Sequence, residues 1–269
     1  MSYQTISVLI ENHIGFIKLN RPEKANALNQ TAWDELLSVF DSWDENEDVR
    51  VIVLSGEGKH FCSGIDLSLL STIKNSTETC DTRKREKLRK QIIALQKPVN
   101  AIENCSKPVI AAITGGCIGA GVDIICACDM RYSTSDAYFS IKEIDMGMVA
   151  DLGTLQRLPK LIHEGMVREM AFTGRQVFGE EAEKIGLVNK SFETEAALFE
   201  NMTAIALKIA AKSPVSIRGT KHILNHSRDH TTADGLLYMA TWNAGMLLSE
   251  DLNEALQAQS EKRQPGFNS

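Results

Sequence analysis

Residues 142–153 read KEIDMGMVADLG. Glu143, Asp145 and Asp151 stand there among Ile144, Met146, Met148, Val149, Ala150 and Leu152, with Lys142 the one formal cation. A carboxylate in apolar company is costly unless it is paired, protonated or solvated. The same surroundings raise its pKa toward neutrality, where a carboxyl can take up and release a proton. Glu143 and Asp151 are therefore candidate proton carriers. Asp145, like Asp66 further upstream, reads as a cap or turn former. Asp123 lies one step into an apolar helix, where it can instead serve the N-terminal dipole. Asp151 precedes Leu-Gly-Thr-Leu and could simply cap the next helix. Periodicity alone does not choose between these roles.

Two glycine turns bear on the choice. In GGCIGAGVD, Gly116, Gly119 and Gly121 are spaced G-x-x-G-x-G, the reverse of the dinucleotide fingerprint, and no P-loop G-K-[ST] is present. Such a turn can pack a helix closely on a sheet, or it can let backbone N–H groups approach an anion or a polarised oxygen. A second turn, FCSGIDL, has the same character. Two strand–glycine–helix turns can each donate one N–H to a common point. That pair would be an oxyanion hole, and acids close by would move protons on the carbons next to the carbonyl.

The elements that must position these groups follow from periodicity. TISVLIENHIGFIKLN reads as two strands joined around Glu11-Asn12-His13. Asn29 or Thr31 can cap a helix presenting Trp33, Leu36, Leu37, Phe40 and Trp43 on one face. VRVIVLSG and KPVIAAITG are short, continuously apolar strands of the buried kind. Residues 71–92 form a charged excursion feeding a helix that ends near Asn104. MRYSTSDAYFSI gives two more strands, and from about residue 155 the pattern is helical almost to the end. VRVIVLSGEG…SGIDL and SKPVIAAITGGCIGAGVDI repeat one plan: apolar strand, glycine turn, helix start. Strands alternating with helices indicate an α/β arrangement with parallel pairing.

Composition narrows the class. The chain has 269 residues, 43% hydrophobic and 24% charged, enough for a substantial core. A net charge of −6 argues against nucleic acid as the main partner. DTRKREKLRK (81–90) is the one basic run, and it reads as a solvated helix face. The six cysteines form no CxxC pair and have no zinc-type histidine spacing, so reduced thiols and no metal are expected. No run reaches membrane-spanning length, no signal peptide is visible, and GFNS is not an SKL-type address.

RPEKANALN, FCSGIDL, KPVIAAITGGCIGAGVDIICACDMRY, AYFSIKEIDMGMVADLGTLQRLPKLI and FTGRQVFGEEAEKIGLVNK, in order along nearly the whole chain, resemble the enoyl-CoA hydratase/isomerase (crotonase) superfamily. SGIDL, GAGVD, KEID and ADLGTLQRLPK are most similar to its dienoyl-CoA isomerase branch. The resemblance implies a crotonase-type β/α spiral core over 1–199, carrying the CoA and active sites. It implies a C-terminal helical region over 200–269 that trimerises, with hexamers as dimers of trimers. Catalytic roles would fall to Asp123, Glu143 and Asp151. The hydratases carry Glu where this chain has Asp123 and usually lack an acid at position 151. The oxyanion hole would be the N–H groups of Ile65 and Ala120; Ala120 departs from the usual glycine but keeps its N–H. Coenzyme A would lie along Lys24, Ala25, Leu28, Ser63, Gly64 and Asp66, with Lys262 or Arg263 reaching a neighbouring subunit's ligand. The substrate implied is a 3,5-dienoyl-CoA, with no metal, flavin or nicotinamide, in a cytoplasmic enzyme of bacterial type.

Two rivals stay open on sequence. A hydratase or Δ3,Δ2-enoyl isomerase would use related acyl-CoA esters. A non-catalytic scaffold or RNA binder would need neither Glu143 nor Asp151.

Overall fold

The computed structural model describes residues 3–74 and 78–269. Strands β1 (Ile6–Glu11) and β2 (Ile14–Leu19) form an antiparallel hairpin. Its turn residues, Asn12 and His13, have φ of 51° and 62°, the left-handed pair that a two-residue hairpin loop requires. A short 3-10 turn, Pro22–Lys24, leads to α1 (Gln30–Asp44). Asn29, not Thr31, caps α1 by accepting the Ala32 N–H at 2.9 Å. The expected face of α1 is buried at Trp33, Leu36, Phe40 and Trp43. There follow β3 (Val51–Gly56), α2 (Leu67–Lys74), α3 (Asp81–Asn104), β4 (Val109–Ile113), β5 (Gly116–Ile118), α4 (Ala120–Ala127), β6 (Met130–Thr134) and β7 (Tyr138–Ser140). A 3-10 turn, Lys142–Met146, is followed by α5 (Thr154–Arg157), α6 (Glu164–Thr173), β8 (Val177–Phe178), α7 (Gly179–Lys184) and β9 (Lys190–Phe192). Helices α8 (Glu195–Ala210), α9 (Pro214–Ser227), α10 (Thr232–Met246) and α11 (Glu250–Glu261) complete the chain.

The main sheet has the order β1-β2-β3-β4-β6-β9, with every pairing parallel except the first. A smaller sheet runs β5-β7-β8. The apolar runs are continuous because the main sheet is covered on both faces. Ile52 and Leu54 of β3, with Val109, Ala111 and Ile113 of β4, face the large core that contains α1 and α4. Val51 and Val53, with Ile110 and Ala112, face α8 through Leu198, Met202 and Ala206. The two repeated strand–glycine–helix units lie side by side, Cys62 bridging Cys117, and Leu28 of the earlier loop bridges Ile65.

Helix α8 crosses the expected division at residue 199 and completes the second core layer of the sheet. The helices that stand off the sheet are α9–α11. They are still tied to the core, since Lys221 of α9 donates to Asp129 at 2.7 Å and to the Lys107 carbonyl at 3.0 Å. Strands β8 and β9 interrupt the stretch expected to be helical. At two and three residues they are too short to show a period of two.

Candidate active site

The two glycine turns meet. A Cβ on Gly64, whose φ is +98°, would lie 3.1 Å from the Ile118 carbonyl oxygen and 3.6 Å from the Ala120 nitrogen. Residues 25–28 clamp the first turn from behind. The Ala25 carbonyl accepts the Ser63 N–H at 2.9 Å, Leu28 N–H donates to the Gly64 carbonyl at 2.8 Å, and the Leu28 carbonyl accepts from Asp66 at 2.9 Å. Ala25 and Asn26 take positive φ to make this approach. Asn26 is fixed by donating to the carbonyls of Glu57 at 2.9 Å and His60 at 2.7 Å. Ala120 is the first residue of α4, so its N–H has no partner within the helix. Among the described residues, neither that N–H nor the one of Ile65 donates a backbone hydrogen bond outside regular structure.

In front of these turns lies a cavity of about 580 Å³. It brings together Ser63, Gly64, Ile65, Ala120, Glu143 and Asp151 from four separate segments. Its walls are apolar: Leu88, Ile92 and Leu95 of α3 on one side, Met146, Met148 and Val149 on the other. Glu143 is held against the second turn. A Cβ on Gly119, at φ +53°, would lie 3.2 Å from Glu143 Oε1, so glycine there makes room for the carboxyl.

Asp123 does not line the cavity. It stands one layer behind, 1% exposed, and accepts both the N–H of Thr154 at 2.6 Å and its hydroxyl at 2.7 Å on Oδ1. Asp123 therefore caps α5 from another element. Asp151 does not: α5 begins from Gly153 without a side-chain cap. The Asp151 carbonyl is instead held by Gln96 of α3 at 2.7 Å. Among the described residues, Asp123 Oδ2 and Glu143 Oε2 are buried with no hydrogen-bond partner.

Burial dominates the electrostatics. It pushes Glu143 up to about 7, with the negative charges of Asp123 and Asp151 adding to the effect. It pushes Asp123 up to about 6 against the lowering hydrogen bonds from Thr154. Asp151 is also raised, again by burial. Asp66 behaves oppositely: hydrogen bonds from Ser68, then Arg21 at 3.0 Å, lower it to about 2. It caps the start of α2 as a paired anion. Asp145 pairs with Lys142 on the 3-10 turn.

Lys24 is exposed at the end of its turn, next to the Ser63 loop, and its carbonyl accepts the Ser63 hydroxyl at 3.4 Å. The Leu28 side chain is buried in the core, so Leu28 serves the site through its backbone. Residues that sequence reasoning passed over are Thr154, Gln96 and the α3 wall. Leu88, Ile92 and Leu95 recur at i, i+4 and i+7, a helical stripe that a period count over the charged excursion could have found.

Residues 9–269 match the family described as Enoyl-CoA hydratase/isomerase. A protein of Arabidopsis thaliana named "Delta(3,5)-Delta(2,4)-dienoyl-CoA isomerase, peroxisomal" is 48% identical over 99% of this chain and 98% of its own length. A Mus musculus protein named "Delta(3,5)-Delta(2,4)-dienoyl-CoA isomerase, mitochondrial" is 46% identical over 97% of this chain and 81% of its own. Those names put the relatives in organelles, which does not fit the plain cytoplasmic expectation. No helix among the described residues is long and apolar enough to cross a membrane. A crystal structure of an enoyl-CoA hydratase from Bacillus anthracis superposes with a TM-score of 0.90 at 31% identity, covering 98% of this chain and 99% of that one. A putative enoyl-CoA hydratase from Streptomyces coelicolor gives 0.91 at 28% identity, covering 99% and 95%. With the glycine turns, the paired carboxyls and the fold in agreement, the chain belongs to the enoyl-CoA hydratase/isomerase (crotonase) family.

Proposed function

We propose that this chain isomerises 3,5-dienoyl-CoA to 2,4-dienoyl-CoA in the breakdown of unsaturated fatty acids. The observation that carries the reading is the pair of carboxyls, Glu143 and Asp151, on one apolar cavity beside two unengaged N–H groups. The names of the relatives support it.

The chemistry follows from the substrate. The C2 proton of a 3,5-dienoyl thioester is acidic because the dienolate spreads charge to the thioester oxygen. The N–H groups of Ile65 and Ala120 would receive that oxygen. Glu143 takes the proton from C2. The electron pair moves along the conjugated system, and Asp151 delivers a proton at C6, leaving double bonds at C2 and C4. One acid must start ionised and the other protonated, so their environments must keep them apart. An acyl chain filling the apolar cavity dries Asp151 further and favours its neutral form. Glu143 shares that cavity with the two N–H groups, and the thioester oxygen they receive is where the charge left by its proton abstraction collects. No electrons leave the substrate, so the reaction calls for no redox cofactor.

Lys24 is exposed beside the Ser63–Asp66 loop and would meet a coenzyme A phosphate, with Ala25 and Ser63 along the pantetheine. Self-association as a trimer or hexamer completes the proposal. The direct test is purified protein with 3,5-octadienoyl-CoA, followed by the absorbance of the conjugated 2,4-dienoyl thioester. Water addition to a 2-enoyl-CoA without dienoyl turnover would transfer the assignment to the hydratases.

A further inference from the structure

Thr154 opens α5 and is 1% exposed. Both of its hydrogen bonds to Asp123 land on the same oxygen, Oδ1. The other oxygen is buried and has no hydrogen-bond partner among the described residues. Burial alone would leave Asp123 neutral. Two donors on one oxygen stabilise the anion and fix the plane of the carboxylate, with the bare oxygen turned away from Thr154.

The charged and titratable groups around Asp123 come from every neighbouring element. Glu143 approaches from the 3-10 turn after β7 and Asp151 from the loop before α5, and both share its field. Arg157 of α5 opposes it weakly, because Glu103 holds that guanidinium at 2.6 and 2.9 Å and Asn100 at 2.7 Å. Cys62, Cys117 on β5 and Cys126 on α4 are fully buried thiols pushed far up by burial, so they stay neutral. The Asp123 N–H donates to the Gly119 carbonyl at 3.3 Å, and Gly119 is the residue against which the Glu143 carboxyl lies; Glu143 is thus the buried group whose ionisation depends on whether Asp123 is charged.

We propose that Thr154 is a positioning residue of the reaction: its two hydrogen bonds hold Asp123 as an oriented anion one layer behind Glu143, and that anion sets the pH range in which Glu143 serves as a base. This rests on the role given to Glu143 above. The hydroxyl is the side-chain part of the device, since the N–H is supplied by any residue at the start of α5. Losing the hydroxyl lets Asp123 take up its proton. Its repulsion of Glu143 then disappears, and Glu143 ionises at lower pH.

The test is a titration of Glu143 in the free, full-length protein, read by carboxyl ¹³C NMR with Glu143→Gln to assign the signal. No substrate is needed, so the result is independent of what the enzyme turns over. Thr154→Val should move the Glu143 midpoint down by roughly 0.5 pH unit or more. Thr154→Ser should restore it, and Asp123→Asn should move it down by itself. Adding Thr154→Val to Asp123→Asn should cause no further shift. An unchanged midpoint in Thr154→Val, or a Ser variant indistinguishable from Val, overturns the proposal. If the Val variant does not fold, Asp123→Asn decides: an unchanged Glu143 midpoint there overturns it equally. Absence of 3,5-octadienoyl-CoA turnover by the wild type, with the midpoints shifting as stated, would sink the dienoyl reading and leave the Thr154–Asp123 device standing.

Discussion

At the residue scale the site is three acids kept at different depths. Asp123 is sealed in, Glu143 is half-buried against Gly119, and Asp151 sits on the cavity wall. The proposed division of labour separates by mutation. Asp151→Asn is nearly isosteric and removes no cap, because Asp151 caps nothing. It should fold normally, bind acyl-CoA and lose at least about two decades of dienoyl isomerisation. Exchange of the C2 proton with solvent deuterium should persist in that variant and vanish in Glu143→Gln. Near wild-type isomerisation by Asp151→Asn would refute the C6 role. The pH dependence has a definite sign. Glu143 must be ionised to act as a base, and burial holds it at about 7. In the free enzyme kcat/KM should therefore fall about tenfold per unit below that pH.

The buried carboxyl of Asp123 also bears on stability. Its folded pKa, about 6, lies above the ordinary 3.8, so the native state holds that proton more tightly than the unfolded chain. The stabilisation from that proton is complete below about 4 and disappears as pH rises through about 6. Asp123→Asn keeps an acceptor for Thr154 but cannot ionise. Its stability relative to wild type should improve between pH 4 and pH 8 by up to roughly 3 kcal/mol, read from urea midpoints at the two pH values. A constant difference across that range would show that Asp123 ionises freely.

At the scale of elements, α3 and the glycine turns do the positioning. Helix α3 supplies the apolar wall with Leu88, Ile92 and Leu95, holds the Asp151 carbonyl through Gln96, and anchors Arg157 through Glu103. One helix thus walls the cavity and steadies the Asp151 loop. The turn before α4 depends on Gly119, at φ 53° and ψ −118°, a conformation closed to residues with a Cβ. Gly119→Ala should cost about 1–3 kcal/mol of stability from backbone strain. It should also reduce activity, because the new methyl would press on Glu143 Oε1 from 3.2 Å. Unchanged kcat in a folded Gly119→Ala protein would show that the turn tolerates another backbone conformation.

At the scale of the molecule, α9–α11 leave apolar surface uncovered. Leu236 is 67% exposed, Leu237 72% and Leu248 91%. Large apolar side chains gathered on one appendage mark an association surface. Light scattering of the full chain at micromolar concentration should give a trimer or larger, and a clean monomer would remove that expectation. The appendage and the segment after it are fastened to the rest of the chain by polar links: Lys221 to Asp129, and Arg50 to the carbonyl of Phe267.

Local pattern in the sequence determined the hairpin, the buried strands β3 and β4, the face of α1 and the paired glycine turns. In each, nearest neighbours along the chain state the burial: a period of two, a continuous apolar run, a cap such as Asn29. The candidate acids were legible for the same reason, since carboxyls standing in apolar runs are conspicuous. Tertiary structure alone decided where each acid sits and what it bonds. Whether Asp151 caps α5 depends on Asp123, which lies 31 residues from Thr154 in sequence and takes that cap itself. Whether α3 is a solvated helix or a cavity wall depends on the 3-10 turn that faces it. The limit of the spiral core depends on the sheet face that α8 covers, well past the last strand. These are long-range contacts, and a sequence records the residues that make them without recording which of them meet.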